Sequence, residues 1–133
     1  MAPDDAMLAL ARRMMDRAYA PYSRFAVGAV VRGANGRLYG GCNVENAAYP
    51  QGTCAEAGAI AAMVADGETR IVEALVMAKG DLVTPCGGCR QRLREFAGEG
   101  TPIHLAAPAG HRRTVSLGEL LPLSFGPDHL KPA

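Results

Sequence analysis

Hydrophobic and polar positions follow a helical period at the start of the chain and a strand-like pattern after it. Residues 5–19 place apolar side chains three and four positions apart behind an aspartate that can cap the first turn, which predicts a helix. Residues 25–32 are rich in valine and predict a strand. Asn35-Gly36 is a strong signal for a two-residue turn, so we expect a hairpin whose second strand covers about residues 37–44.

The rest of the chain alternates predicted helices and strands. The pattern predicts helices over residues 54–65 and from 85 or 86 to 97, strands over 71–78, 102–106 and 113–115, and a last helical turn near 116–121. Residues 71–78 are almost wholly apolar, as in a central strand covered on both faces. This order predicts an α/β fold with three α-β-α layers around one mixed sheet of about five strands.

Composition limits the class of partner. The chain has 133 residues, which suits a single domain over 1–133. Its 14 Lys and Arg against 13 Asp and Glu give a net charge of +1, too small an excess for a protein that grips nucleic acid polymers. The apolar runs fall short of the ~20 residues that span a membrane, and the N-terminus lacks the basic region and apolar core of a signal peptide. We therefore expect a cytoplasmic protein with a small-molecule ligand and no membrane partner.

Two predicted helix starts carry cysteine. In a reducing compartment, cysteines are more often metal ligands or catalytic groups than disulfides. Thr53 precedes Cys54, and Thr84 precedes Pro85-Cys86, so we expect threonine caps with a cysteine in each first turn. The positive end of each helix dipole favours a thiolate there.

A third thiol and a carboxylate complete the candidate chemistry. Cys89 lies three residues after Cys86, near the same face of the predicted helix. If the two helix starts meet, three thiolates would leave one position open on a tetrahedral zinc ion, which is typical of catalytic sites. Glu56 lies in the same turn as Cys54, so its carboxylate could approach that position and exchange protons with water.

Each of these elements has another interpretation when taken alone. Residues 53–56 also match a capping box in which Glu56 only returns to the backbone. Cys86 and Cys89 could form a redox dithiol, or zinc could staple a binding module without catalysis. Cys42 lies in a predicted strand, and we expect a buried free thiol rather than a fourth ligand. The histidines do not fall at ligand spacing and are expected in strands or at the surface: His104, His111 and His129.

Several motifs taken together resemble the small cytidine deaminases. They are YSRFAVGA at 22–29, GCNVENA at 41–47, CAE at 54–56 and PCGGCRQ at 85–91. The combination of a Cys, a neighbouring Glu and a later Pro-Cys-x-x-Cys is the known signature of zinc-dependent deaminases, and the chain resembles them in this pattern. The resemblance runs from residue 22 to about 96, with a weaker echo near 120–125.

The resemblance implies a cytidine-deaminase-like fold and a specific chemistry. One zinc ion per subunit would be held by Cys54, Cys86 and Cys89, and Glu56 would shuttle protons. The reaction would be the hydrolytic deamination of cytidine and 2′-deoxycytidine to the uridine products and ammonia, as used in pyrimidine salvage. This agrees with the interpretation of Cys42 as a free thiol that is not a ligand.

The resemblance also implies how a nucleoside would be bound. Asn43 and Glu45 would hydrogen-bond the ribose hydroxyl, Phe25 would pack against the pyrimidine ring, and the backbone around Ala55 would contact the base edge. The family forms homotetramers with shared active sites, and the neighbours' contributions are expected from Tyr49 and Phe125.

One position departs from the common pattern of the family. Many members carry Arg directly after the catalytic Glu, whereas this chain has Ala57. Zinc with three thiolates keeps one net negative charge, and two helix N-termini supply roughly +0.5 each. We hypothesise that Arg90, or backbone N–H groups, supply the rest. The departure also leaves open another cytosine-containing substrate, such as an aminonucleoside antibiotic.

Overall fold

The structure, a computed structural model, describes residues 1–130 and is built around one five-stranded sheet. Its strands are β1 (Val27–Gly33), β2 (Leu38–Cys42), β3 (Ile71–Ala78), β4 (Pro102–Ala107) and β5 (Gly110–Ser116). They lie in the order β2-β1-β3-β4-β5, with β3 and β4 parallel and the other neighbours antiparallel. The predicted mixed sheet of five strands is confirmed, with β3 at its centre.

Four α-helices and two short 3-10 turns connect the strands. They are α1 (Asp5–Arg17), α2 (Ala55–Ala65), α3 (Gly87–Phe96) and α4 (Leu117–Leu120), with 3-10 turns at Tyr49–Gln51 and Pro127–His129. Helix α1 ends two residues before its predicted end because the backbone N–H of Tyr19 donates to the carbonyl of Asn43 instead of continuing the helix. In residues 1–130, no helix is both long enough and apolar enough to pass through a lipid bilayer.

The sheet is covered on both faces by helices, which gives the three predicted layers. On one face, α1 packs on the sheet through a cluster that contains Met7, Val30 and Leu75. On the other face, α2 and α3 pack through a larger cluster that contains Met63 and Leu93. Successive side chains of a strand point to opposite faces, so β1 and β3 supply both clusters.

Two glycines allow the helices to approach the sheet closely. A Cβ atom at Gly41 of β2 would collide with the backbone of Ala55 and Ala59 in α2. A Cβ atom at Gly28 of β1 would collide in the same way with the backbone of α1, at Ala11. The close backbone contact brings the first turn of α2, which carries the candidate site, directly onto the sheet.

Candidate active site

The N-termini of α2 and α3 meet and bring three cysteine sulfurs together. Cys54 is the N-cap residue of α2, Cys86 is the N-cap residue of α3, and Cys89 lies in the first turn of α3. The three sulfur atoms lie within 4.8 Å of one another, and those of Cys54 and Cys86 are 3.8 Å apart. The predicted convergence of two helix starts is therefore present.

The expected threonine caps are wrong. Cys54 has φ −78° and ψ 156°, and Cys86 has φ −64° and ψ 164°, which is the extended backbone of an N-cap residue. Each cysteine therefore occupies the cap position predicted for a threonine, and each helix begins one residue after it. The backbone N–H of Thr53 instead donates to the Val44 carbonyl at 2.9 Å, and the backbone N–H of Val44 donates to the Thr53 carbonyl at 3.0 Å. The hydroxyl of Thr84 accepts a hydrogen bond from Arg90 at 3.0 Å. Neither helix has a side-chain cap hydrogen bond, so the capping-box interpretation of residues 53–56 is not supported.

The donor set fits a zinc ion. Zinc lies about 2.3 Å from thiolate sulfur in tetrahedral sites, which places two such sulfurs roughly 3.8 Å apart. The Cys54–Cys86 separation equals that value. Cys42 lies outside this cluster, as expected, although it is half-buried rather than buried. Within residues 1–130, the histidines also lie outside it: His104 is on β4, His111 on β5 and His129 in the last 3-10 turn.

The three thiols experience different electrostatic environments. Burial raises the pKa of Cys54 and, together with the nearby Glu56 carboxylate, raises the pKa of Cys89. A hydrogen bond from the backbone N–H of Cys89 lowers the pKa of Cys86. A bound divalent cation outweighs these differences, because a coordinating thiol is deprotonated outright.

Glu56 is buried beside the sulfurs. It is the second residue of α2, and only 5% of its surface is exposed. Burial raises the pKa of its carboxyl group, while its own backbone N–H and the Cys89 thiol act in the opposite direction. The carboxylate therefore lies next to the thiol cluster without a neutralising ion pair in residues 1–130.

A cavity of about 400 Å³ opens in front of the cluster. Its volume falls in the range that holds small ligands. The lining includes most residues that the sequence predicted for the site: Phe25, Asn43, Glu45, Tyr49, Cys54, Ala55, Glu56 and Cys86. Cys89 is fully buried behind them. Phe125 is absent from the lining and lies at the surface, 57% exposed, with its ring stacked on His129.

Two predicted ribose-binding side chains are held by hydrogen bonds within the chain. The Asn43 amide accepts from the Val27 backbone N–H at 2.9 Å and donates to the Phe25 carbonyl at 2.8 Å. The Glu45 carboxylate accepts from the backbone N–H groups of Tyr22 and Ser23 at 2.9 and 3.0 Å, and from the Ser23 hydroxyl. The hydrogen bonds from Ser23 and Tyr22 lower the pKa of Glu45. Together with the hydrogen bonds of Asn43, they hold both side chains at the cavity wall.

Several further residues line the cavity although sequence reasoning gave them no role in the site, among them Ser23 and Val83. Ser23 stands inside a motif that carries the resemblance, and its proximity to an acidic residue 22 positions away could not be predicted locally. Val83 lies in the loop after β3, where no pattern marks it.

The arginine contacts differ from the hypothesis made for Arg90. Its guanidinium donates to the Pro85 carbonyl at 2.8 Å, the Leu120 carbonyl at 2.8 Å and the Thr84 hydroxyl, and none of these hydrogen bonds reaches sulfur. Arg92 donates to the sulfur of Cys89 at 3.4 Å. The other half of the hypothesis, a backbone N–H group, is supported by the Cys89 N–H that faces Cys86.

A three-layer α/β fold that brings three thiols and a buried carboxylate to one cavity defines a candidate metal-dependent enzyme. The model of the cytidine and deoxycytidylate deaminase zinc-binding region matches residues 1–104. A cytidine deaminase of Sporosarcina psychrophila is 36% identical over 128 residues, covering 96% of this chain and 94% of the relative. A cytidine deaminase of Mycobacterium tuberculosis H37Rv is 44% identical over 114 residues, covering 85% and 82%.

Solved structures agree with this similarity. The crystal structure of cytidine deaminase from Burkholderia pseudomallei matches with a TM-score of 0.86 and 35% identity, covering 92% of this chain and 99% of the other. The chain belongs to the cytidine and deoxycytidylate deaminase zinc-binding family. Its cofactor is zinc, and the cluster of Cys54, Cys86 and Cys89 is the group of described residues that could hold it.

Proposed function

We propose that the protein is a cytidine deaminase that hydrolyses cytidine and 2′-deoxycytidine. Water adds at C4 of the pyrimidine ring, the exocyclic amine leaves as ammonia, and uridine or 2′-deoxyuridine is released. One observation carries the proposal: three sulfurs within 4.8 Å of one another share a cavity of about 400 Å³ with the buried carboxylate of Glu56. The activity of the curated relatives supports the choice of substrate.

Cys54, Cys86 and Cys89 would hold one zinc ion per subunit. Bound zinc supplies Lewis acidity that lowers the pKa of coordinated water to about 7. The two helix N-termini favour thiolates at Cys54 and Cys86, because each places roughly half a positive charge at the N-cap. The helix ends thereby offset part of the burial that raises the pKa of Cys54 and add to the hydrogen bond that lowers the pKa of Cys86, and ligation requires the deprotonated form of both.

Glu56 would move the protons of the reaction. Its carboxylate accepts the proton that the attacking water loses and passes it to N3 of the ring. It then accepts the proton of the new hydroxyl group at C4 and delivers it to the departing amine, as the C4–N bond breaks and the C4 carbonyl forms. Its place in the first turn of α2, one residue after Ala55 and two after Cys54, fixes it beside the ligand sulfurs. A positioned general acid–base group contributes about 10²–10⁴-fold to a rate.

The cavity wall would orient the nucleoside. Phe25 is 44% exposed within the lining, so its ring is available to the pyrimidine. Asn43 and Glu45 keep further amide and carboxylate capacity for the ribose hydroxyl, because each oxygen can accept more than one hydrogen bond. Ala55 also lines the cavity, and its backbone would meet the edge of the pyrimidine base.

The alternatives receive less support. A redox dithiol or a non-catalytic zinc module explains the cysteines, but neither explains a buried Glu56 beside them in a chain that belongs to the deaminase family. Deamination of another cytosine-containing nucleoside would use the same residues, so the substrate assay decides between the two.

The decisive experiment is an ultraviolet assay of cytidine loss on the zinc-loaded protein, with and without a chelator. We expect turnover that the chelator abolishes and added zinc restores. Zinc analysis of Cys54→Ser, with Cys42→Ser as the matched control, tests the ligand set, since only the first should lose the metal. Protein that binds no zinc and readily forms a Cys86–Cys89 disulfide would contradict the proposal and favour redox chemistry.

We further infer a single-domain cytoplasmic enzyme of pyrimidine salvage that works as a homotetramer. Tyr49, 75% exposed, and Phe125, 57% exposed, are large side chains that a neighbouring subunit could cover. Each would then contribute to a neighbour's active site as well as to its own surface. Light scattering tests the assembly, and Phe125→Ala should weaken association or raise KM while the zinc content stays unchanged.

A further inference from the structure

The three arginines of α3 have different partners. Arg90 donates to oxygen atoms of Thr84 and Pro85, which precede the helix, and of Leu120 at the end of α4. Arg94 donates to the Ser124 hydroxyl and to the Asp128 carboxylate, both at 2.8 Å. Arg92 donates to the sulfur of Cys89 at 3.4 Å, and within residues 1–130 its side chain forms no other hydrogen bond.

The conformation of Arg92 is directed at the thiol cluster. Its side chain returns one turn toward the N-terminus of α3, from position 92 to the sulfur at position 89. A Cβ atom at Gly88 would lie 3.4 Å from Nη1 of Arg92, which is van der Waals contact, so the guanidinium lies against the first turn of α3. Although Arg92 is an exposed residue, no carboxylate of residues 1–130 forms an ion pair with it.

The contact places the positive charge of Arg92 beside a cluster that is negatively charged when it holds a metal ion. Three thiolates around a divalent cation keep one net negative charge, and Glu56 adds a second when ionised. Helix N-termini offset part of this charge, while Ala57, next to Glu56, contributes none. A guanidinium that donates to thiolate supplies a full positive charge and a charge-assisted hydrogen bond.

We propose that Arg92 is a positioning residue of the metal centre, whose guanidinium donates to the Cys89 thiolate and offsets the negative charge of the three-thiolate site. The inference rests on the proposed ligand set of Cys54, Cys86 and Cys89. Arg92 of α3 would thus supply the positive charge that α2 lacks at Ala57. Zinc affinity should therefore depend on Arg92, an exposed side chain that does not touch the metal.

The test measures zinc affinity directly, by competition with a chromophoric chelator. Arg92→Leu should bind zinc 10–100-fold more weakly than the natural chain, the usual loss for a partner of a metal ligand. Arg92→Lys, which keeps the charge, should recover part of that loss. Arg13→Leu is the matched control, because Arg13 is exposed on α1 and has no side-chain hydrogen bond to the described residues.

Two further measurements separate this role from a structural one. The thiolate-to-metal absorption band of the cobalt-loaded protein should shift in Arg92→Leu, since one sulfur loses its hydrogen bond, and should stay in place in Arg13→Leu. Thermal unfolding of the metal-free proteins should be the same for both variants. Equal zinc affinity in Arg92→Leu and Arg13→Leu, or a loss in metal-free stability that accounts for the weaker binding, would overturn the inference. A natural chain that binds no zinc would overturn the ligand set as well, so the two failures are distinguishable.

Discussion

Each face of the sheet carries a glutamate shielded from solvent, half-buried Glu73 on one face and buried Glu56 on the other, and the two have different partners. On the α1 face, Glu73 of β3 accepts a hydrogen bond from Arg32 at 2.9 Å and bonds His104 at 2.7 Å, and Arg32 continues to Asp4 at the start of α1. On the α2 face, Glu56 has no such ion pair within residues 1–130 and lines a cavity.

The difference separates a structural carboxylate from one available for chemistry. One oxygen of the Glu73 carboxylate bonds Arg32 of β1 and the other bonds His104 of β4. Because Arg32 also pairs with Asp4 at the start of α1, this network links α1, β1, β3 and β4. Burial without a neutralising partner raises the pKa of Glu56, which makes its carboxylate a better proton acceptor. Among these two carboxylates of residues 1–130, Glu56 combines low exposure, a place in the cavity lining and no ion pair, which makes it the candidate for proton transfer.

The largest effect is expected from Glu56→Gln. The amide keeps the shape of the side chain but cannot accept and return a proton, so kcat should fall by about 10²–10⁴-fold or more. Zinc content should stay near one ion per chain, since the three sulfurs are untouched. Turnover is measured by the ultraviolet assay and zinc by elemental analysis. Activity close to that of the natural chain would remove Glu56 from the mechanism.

Gly41→Ala should give the next largest effect, on stability and activity together. A Cβ atom there collides with the backbone of Ala55 and Ala59, so α2 must move away from the sheet, at a cost of about 3 kcal/mol. Gly28→Ala is the matched change on the α1 face, where the collision is with Ala11. Urea unfolding should show a loss in both variants, but only Gly41→Ala should lower kcat per folded molecule. An equal loss of kcat in both would mean that the faces are not independent.

Much of this framework follows from local sequence signals. The hairpin turns at Asn35-Gly36 as predicted, but its turn is longer than two residues: residues 34–36 separate the hydrogen-bonded Gly33 and Arg37, and of the pair only Gly36 has a positive φ, +83°. Strand β3 spans the predicted residues 71–78 because its apolar run suits a central strand. Spacing alone indicated that the sulfurs of Cys86 and Cys89 lie close together, and they do, although Cys86 is the N-cap residue of α3 rather than part of its first turn. These features depend on neighbours in the chain, so a single sequence contains them.

The remaining features depend on contacts distant in the chain. Thr53 and Thr84 are good caps in isolation, but their partners in the fold are Val44 and Arg90. The link between Glu73 and His104 crosses 31 positions, and Glu73 stands within a run that otherwise predicts only a buried strand. The contact of Arg92 with sulfur depends on how its side chain folds back, which no pattern of residue types indicates.

Glu73→Gln should lower stability without changing chemistry. The amide keeps one accepting oxygen, so either Arg32 or His104 loses its acceptor and the negative charge beside Arg32 is gone, a loss of about 2 kcal/mol for a hydrogen-bonded, partly buried charge. Urea unfolding measures this change, and the assay should give unchanged kcat per folded molecule. The contrast with Glu56→Gln, which should lose turnover and keep stability, is the direct test of the two roles. A large fall in kcat for Glu73→Gln would break the comparison.

The smallest effect concerns Asp66, the carboxylate at the far end of α2 from Glu56. The Tyr39 hydroxyl at 2.5 Å and then the Arg37 guanidinium at 3.0 Å lower the pKa of Asp66, opposite to the shift of the buried Glu56. A carboxyl whose pKa is lower in the folded state stabilises the fold above its unfolded pKa, about 3.9 for aspartate. That stabilisation is lost as the pH falls through the lower, folded pKa.

The metal-free natural chain should therefore be more stable than Asp66→Asn at pH 7, and the gap should close on acidification below about pH 4. The gap is small because the pair is largely exposed, with 39% of the Asp66 side chain accessible. Urea unfolding at a series of pH values measures it, and zinc affinity and kcat at pH 7 should not change. Tyr39→Phe, which removes the first donor, should narrow the same pH-dependent gap. A difference in stability that persists at low pH would mean that Asp66 stabilises the end of α2 through its shape rather than through its charge. It would also contradict the opposite pKa shifts of Asp66 and Glu56.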